Sequence, residues 1–140
     1  MPNGDKKQAQ LNLYIKFLKE RVFFAPHSAT LHYNLALAYL QKGDLAEAIE
    51  FAKRAIELNP GWLQPLNTLA VACLQAGQIE DSIAASRKMI GTDDSYAPAH
   101  YQLGVALRMA GQADEGKEHL AKAKELGYPV TEEMEAGWSD

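Results

Sequence analysis

Four histidines, His27, His32, His100 and His119, and a single cysteine, Cys73, are the residues of this sequence with the chemistry to hold a metal or to pair a nucleophile with its base. A zinc site needs ligands that converge, which on one helix means a pair four residues apart. No two histidines have that spacing and Cys73 has no second cysteine, so neither a metal nor a cofactor is expected. The 18 acidic residues all lie outside the segments 29–42, 63–76 and 97–110, where Lys42 and Arg108 are the only charges. Inside those segments there is no carboxylate for acid or base work, no serine beside a histidine and no glycine-rich phosphate loop, so no catalytic residue is expected. What they offer is tyrosine rings, amides and aliphatic side chains, which suit the holding of a polypeptide rather than its conversion.

A repeat positions those segments. Gly43, Gly77 and Gly111 follow one another at intervals of 34 residues, and the register extends to Leu35, Leu69 and Leu103 and to Ala38, Ala72 and Ala106. Apolar residues recur at helical spacing on both sides of each glycine, and glycine readily takes the left-handed backbone that ends one helix and turns the chain into the next. Each period is therefore expected to be a helical hairpin. Asp44 with Glu47 is expected to form a capping box on the second helix of the first hairpin, and Glu80 and Asp81 begin the corresponding helix of the next. Pro60 with Gly61, Asp93 with Asp94, and Gly127 with Pro129 close the periods, giving repeats at 29–62, 63–96 and 97–129, preceded by 1–28 and followed by a tail at 130–140.

This pattern resembles the tetratricopeptide repeat family. The first repeat carries His32, Leu35, Ala36, Tyr39, Ala48 and Pro60 at the family's pattern positions; His32, Leu66 and His100 replace its tryptophan, Cys73 and Leu107 its tyrosine, and Gly116 a small alanine. The resemblance implies an all-α fold, a right-handed α-α superhelix or solenoid of three hairpins with an extra N-terminal helix. It also implies that the first helices line a concave groove that binds a segment of a partner protein. The groove positions are then Tyr33, Asn34, Leu37 and Gln41 in the first repeat, Asn67, Thr68, Val71 and Leu74 in the second, and Tyr101, Gln102, Val105 and Arg108 in the third, with Tyr33 and Tyr101 as anchors. The competing reading makes Leu37 and Val71 ordinary packing between repeats. Some family members clamp a chaperone's C-terminal carboxylate; only Asn34 and Arg108 have suitable chemistry here, so that recognition is not expected. His32 and His100 share one repeat position and read as packing residues.

Composition narrows the partner. With 47% apolar and 23% charged residues the chain builds a core of one domain, and its net charge of −4 repels phosphate backbones and anionic headgroups, so a protein partner is expected and nucleic acid is not. The first ten residues are polar and no long apolar run follows, so neither a signal peptide nor membrane insertion is expected and a cytoplasmic location follows. A lone Cys73 makes no intrachain disulfide.

The ends carry further expectations. A helix from Asp5 to Phe24, with Asp5 and Gln8 as its capping box, places Leu11, Tyr14, Ile15, Leu18 and Val22 on one face and Leu13, Phe17 and Phe24 on nearly the opposite one. The second stripe is covered either within the chain or by another molecule, including a second copy, which makes a homo-oligomer through this helix one reading. The segment Thr131–Trp138 makes at most about two helical turns, too short to stand alone. It is either a frayed tail or, through Met134 and Trp138 among acidic residues, an occupant of the groove of its own or a neighbouring chain. The leading functional reading is a non-catalytic scaffold or adaptor; the alternatives are a dedicated chaperone of the secretion type and a structural subunit packed through Leu13, Phe17 and Phe24.

Overall fold

The computed structural model describes residues 2–138, and every regular element among them is a helix. In chain order these are α1 (Pro2–Phe24), α2 (Ala29–Lys42), α3 (Leu45–Leu58), α4 (Leu63–Gln75), α5 (Ile79–Thr92), α6 (Ala97–Met109), α7 (Ala113–Glu125) and α8 (Glu132–Ala136). The chain divides into two compact units, Met1–Ala72 and Cys73–Asp140.

In the first unit α2 packs on both α1 and α3. Leu35, Ala36, Ala48, Ala52 and Ala55 are fully enclosed, and the run of alanines along α3 lets the two backbones come close. Phe51 fills the space at the hairpin's edge, its ring stacked 5.6 Å from Tyr39 and 5.9 Å from His32. Ser28 caps α2 by accepting from the Leu31 amide at 3.2 Å. The expected box on α3 is absent. The Asp44 amide is drawn back to the Tyr39 carbonyl at 2.9 Å in closing the preceding helix, and the Asp44 carboxylate pairs with Lys42 at 3.3 Å instead of capping. Nor does Asp5 cap α1: the helix already runs from Pro2, a residue suited to a first turn because it needs no hydrogen-bond acceptor there.

In the second unit α6 packs on α5 and α7. Ile83, Leu103, Ala106 and Leu107 form its core, with Leu74, Ile79 and Ile90 against them. The closest approach is between Gly104 on α6 and Gly116 on α7: a β-carbon at Gly104 would stand 2.9 Å from the Gly116 carbonyl oxygen, and one at Gly116 would stand 2.8 Å from that of Gly104. The departure from the usual alanine at 116 is thus a requirement of this crossing. Each turn glycine takes the left-handed backbone its place demands, with φ of 90° at Gly43, 78° at Gly77 and 87° at Gly111.

Over residues 130–138 the tail is neither frayed nor extended. Thr131 caps α8 by accepting from the Met134 amide at 3.2 Å, and Trp138 is 7% exposed, its ring edge where a Gly116 β-carbon would come within 2.9 Å. It is anchored on α6 and α7, whereas Tyr101 is engaged elsewhere, with Tyr128.

Candidate protein-binding site

In the first unit the Tyr33 ring is half-buried and meets Trp62 edge-on at 4.7 Å, so this anchor is held in place by the aromatic residue that follows the hairpin. Leu37 on the next turn is 38% exposed and Gln41 is exposed, while Asn34 and Val71 are half-buried. Asn67 buries its side-chain oxygen without a hydrogen-bond partner, an unused acceptor. Thr68, expected at the partner surface, is 4% exposed and its hydroxyl donates to the Gln64 carbonyl at 3.1 Å. That local bond and its enclosure leave Thr68 little to offer a partner.

In the second unit Tyr101 stacks on Tyr128 with centroids 4.4 Å apart and planes 17° from parallel; burial, then the neighbouring Tyr101, raises the Tyr128 phenol above its usual pKa. Gln102 is 8% exposed, Leu74 packs on the Leu103 and Leu107 cluster, and Val105 is half-buried. Arg108 is exposed but not idle: its guanidinium lies 5.1 Å from the Trp138 ring and donates to the Gly137 carbonyl. Of the twelve expected residues, then, Leu37, Gln41 and Arg108 are exposed, Thr68 and Gln102 are buried, and the rest are half-buried.

Charge separates the helices of each hairpin. α2, α4 and α6 carry no carboxylate along their whole length, whereas α3, α5 and α7 all begin with one or more. Among the described residues no three His, Cys, Asp or Glu side chains converge to hold a metal ion.

The histidines have a role that repeat spacing alone did not disclose. His32 Nε2–H donates to the Pro26 carbonyl at 2.9 Å and His100 Nε2–H to the Asp94 carbonyl at 2.8 Å, so at the same repeat position each ring ties its helix to the loop six residues before it. With that nitrogen committed, neutral His100 uses Nδ1 as acceptor, and His119 Nδ1–H donates to it at 3.1 Å. Burial, and then the charge of His100, hold His119 below the ordinary imidazole pKa, with Glu115, 4.0 Å away, opposing the shift.

Comparison with known proteins agrees with this architecture. The tetratricopeptide repeat model matches residues 29–61 and again residues 97–122. Among solved structures, one of the protein MamA aligns with a TM-score of 0.77 at 28% identity, covering 91% of this chain and 71% of the other. A MamA structure from Desulfovibrio magneticus RS-1 gives 0.77 at 20% identity over 86% and 68%. TTC0263, a thermophilic TPR protein of Thermus thermophilus, gives 0.74 at 20% identity over 85% and 67%. No curated protein sequence matches the chain. The fold is an all-α helical solenoid.

Proposed function

We propose that this chain, a member of the tetratricopeptide repeat family, is a non-catalytic scaffold that holds a segment of another protein against the outward positions of its carboxylate-free first helices. The observation that carries this reading is the division of charge within each hairpin. All the acidic groups of the repeats are kept off α2, α4 and α6, on which Leu37, Gln41 and Arg108 stand exposed beside the half-buried Tyr33 and Tyr101. A peptide laid on the first helices of either unit buries apolar side chains without stranding a charge. No helix of the described residues is long and apolar enough to cross a membrane.

Because Tyr33 and Tyr101 also pack on Trp62 and Tyr128, substituting them would mix stability with binding. Leu37 and Gln41 are cleaner probes. Affinity purification of the intact protein beside a Leu37→Glu/Gln41→Glu variant, with mass spectrometry, is expected to recover a partner only with the former, at equal helicity. Equal recovery would move the interface away from α2.

A further inference from the structure

Helix α1 stands in the register of a second helix. Thirty-four residues on, Tyr14, Phe17 and Arg21 correspond to Ala48, Phe51 and Ala55 of α3, and Ile15 and Leu18 to Ile49 and Ala52. The second pair behaves alike in both helices: Ile15 and Leu18 are 6% and 2% exposed, Ile49 and Ala52 8% and 0%. The first set does not. Ala48 and Ala55 are fully enclosed, and Phe51 stacks on His32 and Tyr39 of α2. In α7 the same position is His119, stacked 5.4 Å from His100 of its own first helix. In α1, by contrast, Tyr14 is 45% and Phe17 54% exposed, and Leu13 and Phe24 beside them reach 67% and 83%. The side of a second helix that takes a first helix in the complete hairpins is bare here.

The rim of that face selects its occupant. α1 carries five basic residues, Lys6, Lys7, Lys16, Lys19 and Arg21, against Asp5 and Glu20, a net of +3; the remaining chain, with nine basic and sixteen acidic residues, has −7. Two such helices repel one another across a shared seam, whereas an acidic edge is attracted. We propose that the Leu13, Tyr14, Phe17 and Phe24 face of α1 docks an amphipathic helix of a partner protein with acidic flanks, which takes on α1 the place α2 has on α3. Its residues are different from Leu37, Gln41 and Arg108 of the first helices, so the two readings fail independently.

A helix-stapled, fluorescently labelled peptide of residues 28–42 serves as probe, with Thr30, Asn34 and Lys42 changed to glutamate and the buried His32, Leu35, Ala36 and Tyr39 kept. Titrated with the full-length protein, its anisotropy is expected to rise to saturation. Phe17→Glu should weaken binding by about tenfold or more with helicity unchanged, since that side chain is solvent-exposed. Arg21→Glu should weaken the acidic probe and not the unmodified one. No saturable binding by the intact protein, or binding indifferent to Phe17→Glu, overturns the proposal. So does a Phe17-dependent dimer at low salt, which would put a second copy on the face, and so does Phe17-dependent adsorption to anionic phosphatidylserine vesicles.

Discussion

At the scale of single residues the histidines show how much a pattern conceals. That His32 and His100 are packing residues is legible in their shared repeat position, but their bonds to the Pro26 and Asp94 carbonyls depend on loop backbones that no periodicity describes. His119 had no role in the sequence at all, because its partner lies 19 residues away on the other arm of the hairpin. Its chemistry predicts a pH response. Since His119 is held below the ordinary value near 6.5, the unfolded chain takes up a proton there before the folded one does. Stability from this group is therefore complete above about pH 6.5 and declines as pH falls toward the depressed folded value. The cause is first the burial of a positive charge, with His100 and Arg87 adding repulsion and Glu115 and Glu118 relieving part of it. Urea unfolding at pH 7.5 and 5.5 should show the protein losing stability at the lower pH, with a smaller difference in His119→Gln. An equal difference in both would assign the acid sensitivity to other groups.

At the scale of elements, the hairpins were legible because three independent signals agree: glycines at one interval, helical apolar spacing on both sides, and punctuation between periods. The capping of α3 and α1 was not, since Asp44 also belongs to the turn before it and α1 begins earlier than its acidic residue suggests. The tail was half-legible. Its helical tendency and its Trp138 stood out, but the seat on α6 and α7 arises only when Gly104 and Gly116 bring those helices together. That seat predicts opposite outcomes for one substitution at two glycines. Gly91→Ala on α5 meets nothing within 4 Å, so the better helix former should stabilise by about 0.5 kcal/mol. Gly116→Ala gains the same propensity but drives a methyl to 2.8 Å from the Gly104 carbonyl and 2.9 Å from Trp138. Overpacking of about 1–3 kcal/mol outweighs that gain, so this variant should be destabilised. The Trp138 emission should shift to the red as its ring leaves the seat. Stabilisation by both alanines would show that α6 and α7 yield easily.

At the scale of the whole molecule, composition gave a net charge of −4 and an expectation of repulsion from acidic surfaces, yet a sum over the chain hides its distribution. The +3 of α1 against the −7 of the remainder is what bears on assembly, because charges act over roughly 8–10 Å at ordinary salt and not over the chain average. The exposed Leu13, Phe17 and Phe24 favour self-association; the basic residues flanking them oppose it. At low ionic strength repulsion should win, and sedimentation at micromolar concentration should give a mass near the 15.4 kDa of one chain. As salt screens the lysines and strengthens apolar burial, weak dimers should appear, and Phe17→Glu should abolish them. Self-association that weakened with salt would mean that unlike charges hold the copies together, the basic α1 of one against acidic groups of another, and the stripe on α1 would then be the seat of an oligomer rather than of a foreign helix.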